Sequence, residues 1–184
     1  LKIVTLELIQ SWLTPRPRDS NKGMYGRVLV IGSDYGMPGA VRLAAVGALR
    51  VGAGLVTVAT RPEHIVSTVS TRPELLCYGL DPSADNLDVL IATASVIVLG
   101  PGLGLSAWSK EIVDKVLQSS LPLIVDADGL NWLARTMPTV SRLNWIVTPH
   151  PGEAARLLNI TVEQVQADRV QAAQLLQRRY GGVV

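Results

Sequence analysis

Six short apolar runs, each closed by a glycine, threonine or aspartate, constrain this chain more than any other feature. They lie at 27–32, 55–60, 74–79, 95–100, 122–126 and 144–148. Most are continuously apolar instead of alternating, the pattern of strands buried on both faces. The segments between and after them, 39–52, 84–93, 106–118, 129–135, 151–158 and 162–179, read as helices. Such alternation predicts an α/β fold with a parallel sheet. In the first of these helices Ala40, Leu43, Ala44, Gly47, Ala48 and Val51 form a stripe of mostly small residues, expected to lie close against the sheet. After the last helix, Gly181-Gly182-Val183-Val184 reads as the onset of a further buried strand. The chain is therefore expected to stop inside a sheet whose last strands lie beyond it.

Composition removes several classes of function. The 184 residues are 48% apolar and 17% charged, ordinary for a globular domain. Residues 1–20 are expected to form an N-terminal helix and the loop that leads into one domain spanning 21–184. With one cysteine (Cys77) and two histidines (His64 and His150) the chain can form neither an internal disulfide nor a tetrahedral Cys/His zinc site. The net charge of +2 is spread without a basic block, which argues against a nucleic-acid partner. The four tryptophans, Trp12, Trp108, Trp132 and Trp145, are scattered and read as packing residues. No apolar run approaches the roughly 18 residues of a membrane helix, and no secretion signal is apparent, so a cytoplasmic protein is expected.

In a parallel sheet ligands gather at the carboxyl ends of the strands, and four loops there are unusual. Gly32-Ser-Asp-Tyr-Gly-Met-Pro-Gly39 leads into the Ala-rich helix and could bring backbone N–H groups to an anion, or could serve close helix packing alone. It is neither a Walker A loop nor a GxGxxG fingerprint. Gly100-Pro-Gly-Leu-Gly104 places three glycines in five residues, which suits a ligand passing close to the backbone or a tight turn; Ser106 behind it is placed to cap a helix. Asp126-Ala-Asp128-Gly-Leu-Asn131 puts two carboxylates at a strand end, a supply that matches Mg²⁺ beside phosphates, with helix capping as the plainer role. Thr148-Pro-His-Pro-Gly-Glu153 fixes His150 between prolines, as a substrate contact or a structural residue. Glu153, in the first helical turn, could complement the helix dipole or hold a metal or water near a phosphate.

Taken together, NKGMYGRVLVIGSDYGMPGAVRLAAVGALRVGAGLVTVAT, GPGLG, DADGLN and TPHPGEAARLL resemble one family in order and spacing, the NAD(P)H-hydrate dehydratases, over nearly all of the chain from Asn21 onward. The resemblance implies a ribokinase-like, three-layer α/β/α fold with a mostly parallel sheet. It implies ADP-dependent dehydration of the S-epimer of hydrated NAD(P)H, giving AMP and phosphate, with Mg²⁺ as cofactor and ADP as phosphoryl donor. Phosphorylation would turn the poor hydroxyl leaving group into a good one. Ala40, Gly102 and His150 match family contacts to the hydrated nucleotide, with Gly104 in the same loop; Asp126, Asp128, Asn131 and Glu153 are expected near phosphate or metal, or as site architecture. The family's ADP-phosphate loop and catalytic Asp would follow Val184, so the 184 residues alone are expected to be inactive. Many members read GGS where this chain has Gly32-Ser-Asp34. A homo-oligomer, with a tetramer as one form, is implied, as is a link to an NAD(P)H-hydrate epimerase. Competing readings are a ribokinase-like small-molecule kinase and a non-catalytic nucleotide-binding module.

Overall fold

A computed structural model describes residues 4–13, 15–81, 86–136 and 140–184. Six strands form one sheet: β1 (Arg27–Ile31), β2 (Leu55–Thr60), β3 (Leu76–Gly79), β4 (Val96–Leu99), β5 (Leu123–Val125) and β6 (Trp145–Val147). All adjacent pairs are parallel, and the order across the sheet is β3-β2-β1-β4-β5-β6. Each expected strand is present within a residue or two of its expected ends. Beyond β6, Val183 pairs with Ile146 in a single parallel bridge, all that is formed of the strand expected at 181–184.

Nine α-helices are described: α1 (Leu6–Ile9), α2 (Pro38–Arg50), α3 (Ile65–Val69), α4 (Asn86–Thr93), α5 (Ala107–Gln118), α6 (Asp128–Thr136), α7 (Pro151–Leu158), α8 (Val162–Ala167) and α9 (Arg169–Tyr180). The first two residues of the expected helix 84–93 lie outside the described residues. Alternate side chains of the strands point to opposite faces. Val30, Val56 and Val58 pack with Val41 and Ala45 of α2 and with Leu75 on one face. Leu29, Ile31, Ile97, Leu99, Leu123 and Val125 pack with α4, α5, α6, α7 and α9 on the other, where Trp145 and Tyr180 are the largest fully buried side chains. The three layers follow from both faces of the sheet being apolar.

Four expectations need correction. The stripe of α2 that meets the sheet is Val41 and Ala45, with Ala44, Ala48 and Leu49 beside it; Leu43 and Val51 are 74% and 89% exposed. A β-carbon on Gly47 would meet nothing within 4 Å, so that glycine makes no close approach. The single helix expected at 162–179 is two helices, because Asp168 leaves helical geometry (φ −149°, ψ 87°) and its side chain accepts the Gln171 N–H to cap α9. Asp favours this role over a helix interior, where its side chain competes with the backbone. The short helical stretch from Pro62 through α3 was not anticipated. Trp12 is 78% exposed and is no packing residue, whereas Trp108, Trp132 and Trp145 are buried.

The strand order creates one position of special interest. From β1 the chain crosses through α2 on one face to β2, while from β4 it crosses through α5 on the other face to β5. The chain thus leaves these two neighbouring strands toward opposite faces, which makes their carboxyl ends the switch point where open α/β sheets bind ligands in a crevice.

Candidate active site

The two loops at this crevice are Gly32–Met37 and Gly100–Gly104, and they are zipped together through the backbone. Ser33 N–H donates to the Pro101 carbonyl at 3.0 Å and Asp34 N–H to the Gly102 carbonyl at 2.7 Å. Ser33 sits in left-handed geometry (φ 58°) although it has a side chain. Its neighbours hold it there: its carbonyl accepts from Thr60 Oγ1 at 3.1 Å and His64 Nδ1 at 3.0 Å, and its hydroxyl donates to the Met37 carbonyl at 2.6 Å. Strained backbone of this kind persists only where the surroundings fix it.

Gly100 and Gly102 explain the glycine-rich loop. A β-carbon on Gly100 (φ 124°) would collide with the Asp126 carbonyl, so this residue lets the β4 loop nest against the β5 loop. One on Gly102 (φ 61°) would stand 2.9 Å from the Ala40 β-carbon and 3.1 Å from that of Met37. Ala40 and Gly102 thus meet across the crevice, and the smallness of both is demanded by the fold as well as available to a ligand.

Asp34, 7% exposed, binds the crevice together. Its carboxylate accepts from Arg61 Nε at 2.7 Å, Ser106 Oγ at 2.6 Å and the Tyr35 N–H at 2.9 Å. Burial pushes its carboxyl up, but the hydrogen bonds from Ser106, Arg61 and Tyr35, with the Arg61 charge, outweigh burial and hold it below its ordinary value. The Arg61 guanidinium lies between the rings of Tyr35 (4.4 Å) and Trp108 (4.2 Å). Ser106 also caps α5, as expected, by accepting the Ser109 N–H.

The Asp126 and Asp128 carboxylates serve different neighbours. Asp128 Oδ2 accepts the Gly104 N–H at 2.9 Å and Oδ1 accepts from Asn131 Nδ2 at 3.0 Å, so Asp128 ties the β5 loop to the glycine-rich loop. Asp126 Oδ1 accepts from Thr148 Oγ1 at 2.8 Å, joining the β5 loop to the loop after β6. Ala127 between them is the second non-glycine residue of the site in left-handed geometry (φ 47°).

His150 and Glu153 form a reciprocal cap on α7. His150 Nδ1 accepts the Gly152 N–H at 3.0 Å; Glu153 Oε2 accepts the His150 N–H at 2.8 Å. With Nδ1 accepting, the ring proton is assigned to Nε2, which lies 3.2 Å from Glu153 Oε1. Both oxygens of the buried Glu153 are therefore turned to His150, whose ring is 63% exposed. Arg156 Nη1 donates to Asn131 Oδ1 at 2.7 Å and so connects α7 to the Asp128 chain. The eight expected site residues thus fall into four groups, Ala40 with Gly102, Gly104 with Asp128 and Asn131, Asp126 with Thr148, and His150 with Glu153, which the loops and α7 bring to the same end of the sheet.

A family model described as NAD(P)H-hydrate dehydratase matches residues 28–184. The chain belongs to the NAD(P)H-hydrate dehydratase family. It is 56% identical over 172 residues to the "Bifunctional NAD(P)H-hydrate repair enzyme Nnr" of Coxiella burnetii, covering 94% of this chain and 35% of that protein. It is 37% identical over 176 residues to the "ADP-dependent (S)-NAD(P)H-hydrate dehydratase" of Streptococcus pneumoniae, covering 94% of this chain and 60% of that one. The crystal structure of the ADP/ATP-dependent NAD(P)H-hydrate dehydratase of Bacillus subtilis, co-crystallized with ATP/Mg²⁺, superposes with a TM-score of 0.75 at 29% identity, covering 95% of this chain and 62% of that one. The chain thus spans between about a third and under two thirds of the length of these relatives. The ribokinase-like fold expected from the sequence agrees with a further neighbour, a ribokinase-like superfamily protein of Enterococcus faecalis.

The residues that reading of the sequence missed are Asp34, Arg61 and Arg156. Asp34 lies in a loop noted for its glycines, and Arg61 is 27 residues away after a different strand. Only the Asp in place of the third residue of a GGS-like stretch signalled that the β1 loop carries a charge here.

Proposed function

We propose that this dehydratase-family chain carries the hydrate-binding part of an ADP-dependent (S)-NAD(P)H-hydrate dehydratase of the cytoplasm, acting as a homo-oligomer alongside an epimerase. The observation that carries the reading is the crevice at the β1/β4 switch point, walled by Ala40 and Gly102 and joined through Asp128, Asn131 and Arg156 to the exposed His150. The names of its relatives support the substrate and the donor.

In this reading the close, side-chain-free surface of Gly102 and Ala40 admits the flat reduced nicotinamide ring. His150, whose Nδ1 is fixed by the Gly152 N–H, presents its exposed ring to the hydrate. Asp34 and Arg61 keep the two crevice loops in register, so the ring pocket is formed before the ligand arrives. Phosphoryl transfer from ADP to the ring hydroxyl, which gives up its proton, leaves AMP; loss of phosphate together with a proton from the neighbouring ring carbon then restores the double bond.

Among the described residues no three His, Cys, Asp or Glu side chains converge as a metal cage. The donor set fits Mg²⁺ held chiefly by phosphate oxygens and water, with Asp126 as the protein ligand, because its second oxygen is engaged by no described group. When bound, Mg²⁺ supplies charge neutralisation at the phosphates. Asp128 and Glu153 act in this reading as architecture. No described helix is long and apolar enough to cross a membrane.

The test is recovery of NADH absorbance from purified (S)-NADH hydrate with Mg²⁺ and ADP, using the protein at its natural full length. Recovery with ADP supports the reading. Absence of recovery with ADP and with ATP defeats it.

A further inference from the structure

Beside the crevice lies a cavity of about 460 Å³ lined by Leu105, Asn131, Ala134, Arg135, Arg156 and Asn159. It holds two guanidinium groups from two different helices and no carboxylate. Arg135 lies one turn after Asn131 on the same side of α6 and has neither hydrogen bond nor ion pair to any described residue. Arg156 places Nη1 on Asn131 Oδ1 at 2.7 Å, and its remaining N–H groups have no partner among the described residues. Asn131 is itself turned by Asp128, which takes its Nδ2, so that the amide oxygen faces Arg156. The neighbouring carboxylate is thereby used up inside the loop: Asp128 spends both oxygens on Gly104 and Asn131 and neutralises neither arginine.

Two cations around one polar cavity repel each other unless an anion lies between them, and planar guanidinium forks suit phosphate oxygens above other anions. The position is also specific. Arg156 and His150 flank Gly152: a β-carbon there would stand 3.3 Å from His150 Nδ1 and 3.9 Å from Arg156 Nη2. Leu105 follows directly on Gly104 of the crevice loop. The cavity therefore adjoins the glycine-rich loop through Leu105 and the start of α7 through Arg156.

We infer that this cavity is an anion subsite that takes a phosphate of the dinucleotide substrate, gripped by Arg156 and Arg135 while the nicotinamide end occupies the crevice. The inference rests on the dehydratase reading for the identity of the ligand. The phosphate has two sources in such a ligand, the pyrophosphate bridge common to NAD⁺ and NADP⁺ and the extra ribose phosphate of NADP⁺ alone.

The experiment is isothermal titration of the full-length protein with NAD⁺, NADP⁺ and inorganic pyrophosphate, repeated with Arg135→Ala, Arg156→Ala and the double variant. Both side chains are exposed, and thermal melts check that the variants fold as the parent does. Each single substitution is expected to weaken NADP⁺ binding by about ten- to a hundredfold, the loss of hydrogen bonds to a charged group. An equal loss for NAD⁺ and pyrophosphate assigns the bridge to the cavity; a loss for NADP⁺ alone assigns the ribose phosphate; both support the subsite. A double variant that binds NADP⁺ and NAD⁺ as the parent does overturns the subsite and leaves the dehydratase reading untouched. Pyrophosphate binding that the double variant loses, in a protein that binds neither dinucleotide, keeps the anion subsite and overturns the dehydratase reading.

Discussion

The ion pair between Asp34 and Arg61 gives the most demanding test of how the crevice is held together. Its side chains are 11% and 17% exposed, and its N–O distance is 2.7 Å. Breaking a buried pair by truncating one partner costs about 3–5 kcal/mol, because the other charge is left without a counterpart. Asp34→Ala belongs at the low end, about 3 kcal/mol, since Arg61 keeps some water and the faces of Tyr35 and Trp108. Arg61→Leu leaves Asp34 with Ser106 Oγ and the Tyr35 N–H, and a charged group that keeps two of its three donors loses about 2 kcal/mol. In the double variant neither orphan charge remains, so the total is expected near 3 kcal/mol, below the sum of about 5 and corresponding to a coupling of about 2 kcal/mol. Urea unfolding followed by circular dichroism reads these differences, and for a chain of this length about 3 kcal/mol lowers Tm by roughly 6–12 °C. Single-variant losses that add within about 0.5 kcal/mol would refute the coupling, and with it the claim that this pair clasps the two loops.

Three further outcomes follow from the same geometry. Because hydrogen bonds and Arg61 hold the folded Asp34 carboxyl below its unfolded value of about 3.9, its contribution is complete above that pH and is lost as pH falls through the lower folded value; Asp34→Asn should flatten the acid limb of a stability-against-pH curve, and an unchanged limb would contradict the assignment. Gly102→Ala should cost about 2 kcal/mol in urea unfolding, from left-handed strain and contact with Ala40, whereas no loss would mean that the loop yields freely. His150→Ala should lose about 1 kcal/mol with the α7 cap and also lower kcat/KM, while His150→Asn keeps the cap; full activity in the Asn variant would remove the imidazole from the reaction.

Legibility in the sequence followed the range of the interactions. The strands could be read because a strand covered on both faces is apolar at every position, as in Val28 through Ile31. The reciprocal cap of His150 and Glu153 spans three residues, so both partners were picked out, though not the cap that joins them. Helix α2 misled because Ala, Val, Leu and Gly surround it on nearly every side, leaving two apolar stripes and no polar face to choose between them. The break at Asp168 was masked by good helix formers on both sides. Strand order cannot be read from apolar patterning at all, since every βα unit looks alike; the crevice position therefore came only with the sheet. For the same reason Arg61 and Arg156, which find their partners 27 and 25 residues away, gave no local sign of belonging to the site.

Those distant partners share a design. The β1 loop is held by Arg61 from the β2 loop and by Ser106 at the start of α5; the glycine-rich loop by Asp128; the β5 loop by Thr148 and Arg156. No crevice loop is fixed by its own side chains alone. A substitution at any one of these clasps should loosen a loop two strands away, and coupling between Asp34 and Asp128 through Gly104, whose β-carbon position lies 3.0 Å from Asp34 Oδ2 and whose N–H rests on Asp128, is where that dependence would be strongest. The site is thus as rigid as its least well held loop, which locates ligand-binding losses at polar residues that, Arg156 apart, touch no ligand.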